Sequence, residues 1–222
     1  MYNVLNFPSL LKLNRGAQMI YEMRTYELET AQVPEFESRF AKKLPHRVEF
    51  SALAGLWHTE IGTLNQVVHI WPYEDLNKRA EIRKKAVAAG SWPPDTSGVV
   101  LSMRSEVLIP TPFMKATKEQ TIGPLYELRT YTYPPGSMPR VIEAWGNSIA
   151  KREELSPLAG CWTSDIGDLN KLIHLWAYKS FEERVNIRKQ AVETGIWPPK
   201  SGVLPLKQET KLLFPASCSP MQ

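Results

Sequence analysis

The sequence lacks the features that would name a chemistry by themselves. Only Cys161 and Cys218 are cysteines, too few for a disulfide framework or a cysteine-ligated metal centre. A phosphate-binding glycine loop, a Gly-x-Ser-x-Gly motif and a zinc signature are all missing. No apolar run approaches the ~20 residues needed to span a bilayer. The sequence therefore predicts no metal site, no cofactor and no transmembrane segment.

Charge of one sign is also scarce. The net charge is +4, and the basic residues are spread along the chain without a tract or a recognition motif, so nucleic-acid binding is not predicted. Unpaired cysteines suit a reducing compartment, and we expect a cytoplasmic location. Residues 1–18 lack the continuous apolar centre of a signal peptide and are predicted to be a flexible extension. A mitochondrial presequence is the alternative.

The chain does contain an internal sequence repeat. The segment 69–73, His-Ile-Trp-Pro-Tyr, returns 105 residues later as His-Leu-Trp-Ala-Tyr at 174–178. Over residues 21–94, 30 of 74 positions are identical to their partners at that offset. Such identity indicates an internal duplication and therefore two equivalent structural units.

Each copy predicts the order β-α-β-β-α-β, the ferredoxin-like arrangement. Alternating strand patterns begin at Ile20 and Leu125, and helical stripes with spacing four follow Pro34 and Pro139. The predicted fold is α+β, with two tandem modules packed sheet to sheet as an intrachain pseudo-dimeric α/β barrel. The predicted boundaries are the extension 1–18, a first module 19–109, a linker 110–123, a second module 124–215 and a tail 216–222.

The third strand of each module has two apolar faces. Val68 and Ile70 form an aliphatic face, which we expect the helices to cover. His69, Trp71 and Tyr73 form the opposite face, which would expose two large aromatics if it met water. We expect this aromatic face to pack on the equivalent face of the sister module.

These residues resemble a known family. Tyr-Glu-Leu-Arg-Thr-Tyr at 126–131, Gly-x-Trp after the first helix, and His-(Ile/Leu)-Trp-x-Tyr with Ile-Arg-Lys downstream are similar to the NIPSNAP family. The resemblance spans residues 20–215. It implies membership of the dimeric α/β-barrel superfamily, which also holds EthD-like proteins and small monooxygenases. It further implies kinship with mitochondrial proteins linked to vesicle transport and mitochondrial quality control, without a settled enzymatic activity.

Several residues shared by both copies are candidates for ligand binding. Arg24 lies mid-strand between a glutamate and a tyrosine, so it either pairs with Glu22 on the same strand face or holds an anionic or carbonyl-bearing ligand. His69 is a candidate for proton transfer or for a structural hydrogen bond. The predicted ligand-binding residues are Arg24, Arg129, Tyr26, Tyr131, Trp71, Trp176 and His174.

Positions where the copies differ are the other candidates. His58 replaces Thr163 and Glu60 replaces Asp165. Two residues apart in a strand, His58 and Glu60 should share a face, with the carboxylate orienting the imidazole. The predicted catalytic candidates are therefore His58, Glu60 and His69, and a surface His/Glu pair is the alternative.

Two functions remain open at this point. The first is a binding protein whose biochemical role is undetermined, which holds a small molecule or a protein partner in the cleft between its modules. The second is a cofactor-independent oxygenase or isomerase, in which His58 or His69 acts as a base and Arg24 polarises a carbonyl. Further self-association into a homo-oligomer is expected in either case, because strand edges and helix faces remain available.

Overall fold

The computed structural model describes residues 19–90 and 92–222, and the predicted extension 1–18 lies outside them. The first half contains β1 (Ile20–Leu28), α1 (Val33–Val48), β2 (Gly55–Ile61), β3 (Gln66–Tyr73), α2 (Leu76–Ala88) and β4 (Val100–Pro110). The second half repeats this order with β5 (Leu125–Thr132), α3 (Met138–Glu153), β6 (Leu158–Ile166), β7 (Lys171–Tyr178), α4 (Phe181–Glu193) and β8 (Lys207–Pro215). The prediction of two ferredoxin-like modules is confirmed.

Local sequence explains where these elements begin. Proline occupies the first turn of α1 and of α3, where a missing N–H costs nothing. The carboxylate of Asp75 caps α2 by accepting from Lys78 N at 2.7 Å, and Ser180 caps α4 in the same way. The last strand begins at Lys207, after Pro205, which has no N–H to donate to a neighbouring strand.

The eight strands form one closed barrel in the order β1-β3-β2-β8-β5-β7-β6-β4. Two antiparallel seams join the modules. In one, β2 pairs with β8, with His58 opposite Phe214, and in the other, β4 pairs with β6, with Ile109 opposite Thr163. Closure removes the free edge that each module alone would leave exposed. The predicted pseudo-dimeric barrel is confirmed, with its modules joined by hydrogen-bonded strands.

The assignment of the two faces of β3 was wrong. Val68 and Ile70 point into the barrel, where they join a core drawn from both modules, and Trp71 and Tyr73 pack against α1 of their own module. An eight-stranded barrel has room only for interlocking side chains, which suits aliphatic residues. The aromatic face instead matches the aromatic row of α1, where the Phe40 and Trp71 rings lie 6.3 Å apart.

The segments 110–123 and 216–222 lie together at one end of the barrel. Met114, Ile122 and Met221 pack onto the barrel core, and the Tyr126 hydroxyl donates to the backbone carbonyl of Gln222 at 3.2 Å. The opposite end of the barrel is lined by more polar side chains. A cavity opens there among residues of both modules.

Candidate functional site

Each module has a pocket between the outer face of its sheet, its helices and a Trp-Pro-Pro turn. In the first module this pocket encloses about 150 Å³. Its floor is formed by β1 and β3, and its rim by α2 and the turn at 92–94, where the Trp92–Pro93 peptide bond is cis. The lining residues are Arg24, Tyr26, Phe36, Phe40, Arg47, His69, Trp71, Tyr73, Arg83, Val87, Trp92, Pro93, Pro94, Thr96 and Met103.

A fully buried carboxylate, Glu22, organises the arginines beside this pocket. Its Oε1 accepts from Arg24 Nη1 at 2.8 Å and from Arg79 Nη2 at 2.6 Å, and Ser105 Oγ donates to it at 2.7 Å. Burial opposes ionisation of Glu22, but these hydrogen bonds and the charges of Arg24 and Arg83 lower its pKa to about 2. The carboxylate is thus ionised at neutral pH and holds Arg24 in place on the pocket floor. The predicted pairing of Arg24 with Glu22 is present.

Arg47 is the unusual cation of the pocket. It is 2% exposed, and its guanidinium donates to the hydroxyls of Ser51 at 2.8 Å and Tyr73 at 2.9 Å. Its Cζ lies 4.2 Å from the centre of the Trp71 ring, in a cation–π contact. No acidic side chain among residues 19–90 and 92–222 forms a salt bridge with it. A buried charge without a counter-charge is costly, and an anion in the pocket would relieve that cost.

His69 supplies the neutral donor. Its Nδ1 accepts from Trp71 Nε1 at 2.7 Å, so the ring hydrogen is assigned to Nε2. Burial lowers the pKa of His69 to about 3, which keeps the ring neutral at physiological pH. Within the described part of the chain, buried Nε2 has no hydrogen-bond partner. His69 therefore offers an unused N–H to the pocket.

The second module repeats the arrangement in a pocket of about 220 Å³. Glu127 Oε1 accepts from Arg129 at 2.9 Å and from Arg184 at 2.6 Å. Arg152 is 3% exposed, and its Cζ lies 4.3 Å from the centre of the Trp176 ring. The lining residues are Arg129, Tyr131, Arg152, His174, Trp176, Tyr178, Arg188, Ala191, Val192, Trp197, Pro198 and Gln208.

His174 copies His69 in its contacts and its protonation. Trp176 Nε1 donates to its Nδ1 at 2.8 Å, and burial lowers its pKa well below the usual value. Its Nε2 also lacks a partner among the described residues. Two equivalent neutral N–H donors thus lie in two equivalent pockets.

The charged side chains that line the two pockets are all positive. Three arginines line each of them, and no aspartate or glutamate does so among the described residues. Aromatic and proline side chains supply most of the remaining walls. Such a site can hold an organic anion, with its charged group on the arginines and the imidazole N–H and its apolar part against the rings.

The ligand-binding residues predicted from the sequence separate cleanly by module. Arg24, Tyr26 and Trp71 line the first pocket together with His69, and their partners Arg129, Tyr131, Trp176 and His174 line the second. Their role in binding stays a prediction.

The other two catalytic candidates lie elsewhere. His58 Nδ1 is 2.7 Å from Glu37 Oε1 on α1, and the expectation that Glu60 orients this imidazole was wrong. Glu60 lies at an irregularity of β2, where the register with β8 shifts between Thr59 and Ile61. Glu60 is exposed, and neither residue lines a pocket described above.

Arg47 and Arg152 were missed in the sequence. Each lies late in a long helix, among charged residues that suggest a solvated face. The repeat could have revealed these two arginines, because Arg47 and Tyr73 recur together 105 residues later as Arg152 and Tyr178. A pair of shared polar residues from two elements is a sign of a shared buried contact.

The cavity at the more polar end of the barrel lies between the modules, where we expected the ligand cleft from the sequence. It encloses about 300 Å³ and has charged walls of both signs. Lys171 and Glu106 meet there at 3.2 Å. No cluster of three or more metal-ligating side chains, and no helix long and apolar enough to cross a membrane, is found in residues 19–90 and 92–222.

Known proteins resemble this chain in sequence. The NIPSNAP family model matches it twice, over residues 21–115 and 126–220. A NipSnap homolog from Dictyostelium discoideum is 30% identical over 80% of this chain and 78% of its own length. Human NipSnap homolog 3A is 28% identical over 92% of this chain and 86% of its own length.

Solved structures are also similar to this chain. A NIPSNAP-like domain protein from Burkholderia xenovorans shares 33% identity, with 46% of this chain and 92% of that chain covered and a TM-score of 0.42. A proposed monooxygenase from Lactobacillus acidophilus covers 90% of this chain and 95% of its own length with a TM-score of 0.65, at 11% identity. The latter likeness concerns the barrel alone. With both of its modules matched by the family model, this chain belongs to the NIPSNAP family.

Proposed function

We propose that each module binds one small organic anion, such as an aromatic or short-chain carboxylate, in its pocket between sheet and helices. The observation that carries this proposal is a buried arginine without an acidic partner, Arg47 or Arg152, beside a histidine with an unused Nε2–H. A carboxylate would give the arginine the counter-charge, and the histidine Nε2–H the acceptor, that each lacks. This proposal puts one binding site within each module, whereas from the sequence we expected a single site in the cleft between the modules.

Isothermal titration of the full chain with benzoate tests the proposal, with benzamide as a neutral ligand of the same shape. We expect two sites per chain for benzoate and at least about tenfold weaker binding of benzamide, since charge-assisted hydrogen bonds contribute about 1.5–3 kcal/mol. The same titration with hexanoate shows whether an aromatic ring is needed.

Variants separate the two sites. Arg47→Gln and Arg152→Gln should each reduce the stoichiometry from two to one, and the double variant should bind neither. Arg140→Gln is the matched control, because Arg140 is exposed on α3 and lines neither pocket. His69→Asn, which retains Arg47, should weaken only the first site. Equal binding of benzamide, or a stoichiometry that the arginine variants do not change, would refute the proposal.

Cofactor-independent oxygenase or isomerase activity is the second candidate. The unused Nε2–H beside Arg24 favours it, because an enolate oxygen needs the same donors as a carboxylate. His69 with a pKa of about 3 is a poor base at neutral pH, so the substrate would have to ionise readily by itself. Oxygen consumption with an acidic enol or phenol would support this candidate only if Arg24→Gln abolishes it.

We further propose a cytoplasmic location for this chain. Cys161 and Cys218 are both free thiols, which supports a reducing compartment such as the cytoplasm, with the mitochondrial matrix as the alternative. Fractionation of cells that express the full chain distinguishes the two. Homo-oligomer formation and a protein partner stay predictions, and sedimentation of the purified chain tests the former.

A further inference from the structure

The barrel cavity contains two structurally equivalent contacts that differ in chemistry. Lys171 on β7 donates to Glu106 on β4 at 3.2 Å, and it also meets Asp168 at 2.9 Å. At the offset of 105 residues, Glu106 corresponds to Lys211 and Lys171 corresponds to Gln66. Lys211 on β8 donates to Gln66 Oε1 on β3 at 2.5 Å. One of the two equivalent contacts is thus an ion pair, whereas in the other a lysine donates a hydrogen bond to a neutral amide oxygen.

The two lysines consequently differ as nucleophiles. Burial disfavours the charged form of Lys171, but its two carboxylate partners outweigh this effect and raise its pKa. Burial lowers the pKa of Lys211, and the positive charge of Arg104 lowers it further, ahead of the opposing effects of Glu209, Glu27 and Glu106. No acidic group within salt-bridge distance of Lys211 is found in the described residues. A desolvated lysine beside another cation is the usual arrangement of an amine that attacks carbonyl groups.

Arg104 provides the same cavity with a cation that can bind an anionic group. Its side chain lines the cavity with Lys211 and is exposed at the mouth. Within residues 19–90 and 92–222 it has neither a salt bridge nor a side-chain hydrogen bond. It is therefore free to hold a carboxylate that enters from solvent.

We propose that Lys211 forms a reversible imine with a small oxo acid in the barrel cavity, with the carboxylate of that acid bound by Arg104. The neutral Nζ adds its lone pair to the carbonyl carbon, and the oxygen takes up a proton while nitrogen loses one. In the resulting carbinolamine the hydroxyl group takes up a proton and leaves as water, the nitrogen lone pair forms the C=N bond, and nitrogen gives up its second proton to solvent. Amine and carbonyl thus give imine and water, with no oxidant or reductant, and solvent at the open mouth exchanges the protons.

Reductive trapping tests this inference on the unmodified full chain. The protein is incubated at pH 7 with pyruvate and cyanoborohydride, which reduces an imine to a stable secondary amine, and each lysine is then quantified by peptide mass mapping. We expect Lys211 to be labelled faster than exposed Lys84 on α2, since a lowered pKa leaves a larger fraction of the amine neutral. Lys171 should be labelled least. Labelling of Lys211 at or below the rate of Lys84 would refute the inference.

Gln66→Glu is the matched variant, because it offers Lys211 a carboxylate like the one beside Lys171. It should slow labelling of Lys211 to below that of Lys84 and leave Lys84 unchanged. Labelling of Lys211 that is as fast in this variant as in the native chain would contradict the role assigned to the missing carboxylate.

A pair of probes tests the oxo-acid class. Acetone carries the same carbonyl as pyruvate but no carboxylate, and we expect Lys211 to prefer pyruvate over acetone. Arg104→Gln also removes a charge that activates Lys211, so the informative quantity is the ratio of the two labelling rates, which should fall toward one. A native ratio near one would overturn the role of Arg104.

Discussion

The two sheet–helix pockets and the barrel cavity show opposite consequences of the same duplication. In the pockets, the carboxylate, the buried arginine and the histidine–tryptophan pair occur twice with nearly the same distances. In the cavity, the ion pair of Lys171 and Glu106 has no copy, because Lys211 and Gln66 occupy the equivalent positions. Repetition preserves a site that each module completes by itself. A site made from both modules at once is free to become asymmetric.

The largest expected effect tests how alike the two pockets are. Glu22→Gln and Glu127→Gln each remove a carboxylate that is 0% exposed and leave several arginines without their counter-charge. We expect each variant to lose about 3–5 kcal/mol of unfolding free energy in chemical denaturation. Glu81→Gln on the surface of α2 is the control and should have no measurable effect. A loss in only one of the two glutamate variants would show that the modules are not equivalent.

The next effect is a pH dependence shared by both pockets. Because the pKa of His69 is about 3 in the folded chain, against an ordinary histidine value of 6.5, the unfolded state takes up this proton first as the pH falls. Stability is therefore unaffected above pH 6.5 and decreases below it, by on the order of 2–3 kcal/mol from this residue between pH 6.5 and 4.5. His174 contributes in the same direction.

Denaturation curves at several pH values measure this dependence. His69→Asn keeps an acceptor for Trp71 and removes the titrating ring, so the decrease in stability below pH 6.5 should become smaller. His46→Asn is the matched control, because His46 is exposed and lines neither pocket. Equal slopes for the native chain and the His69 variant would indicate that the ring is charged in the folded state.

Sequence reasoning recovered the parts of this molecule that depend on local pattern and on the repeat. The strand and helix order and the pairing of Arg24 with Glu22 follow from alternation and spacing, and the presence of two equivalent modules follows from the repeat. The orientation of β3 did not, because both of its faces are apolar and only the shape of the partner surface distinguishes them.

The remaining contacts depend on distances that no local pattern contains. The partner of His58 is Glu37 on α1, and its position depends on the rotation of that helix and on the irregularity in β2. The contact of Lys211 with Gln66 joins residues 145 positions apart and exists only because β2 and β8 close the barrel. A repeat predicts which residues correspond, whereas closure determines which of them meet.

The barrel cavity offers a smaller effect that sharpens the comparison. Lys171→Met leaves Glu106 buried without its cation, and we expect a loss of about 1–3 kcal/mol in chemical denaturation. Lys211→Met removes only a hydrogen bond to Gln66, which keeps its contact with Glu27 at 3.2 Å, so a loss below about 1 kcal/mol is expected. The two lysines are equally long and lie in one cavity, so the difference isolates the carboxylate. Equal losses would mean that Lys211 has an acidic partner in solution.

The smallest effect concerns His58, whose position in the second module is taken by Thr163. The hydrogen bond with Glu37 raises the pKa of His58, so its stabilising contribution is present below the unfolded pKa and is lost as the pH rises through the folded one. Glu37→Gln should return the pKa of His58 towards 6.5 and cost about 0.5 kcal/mol at pH 6, as expected for a half-buried pair. Titration of the imidazole protons by NMR measures this, with His46 as the exposed reference. The histidine that only the first module possesses thus has a raised pKa, while burial lowers the pKa of the duplicated histidines of the pockets. An unchanged His58 pKa in the variant would show that Glu37 does not hold the ring.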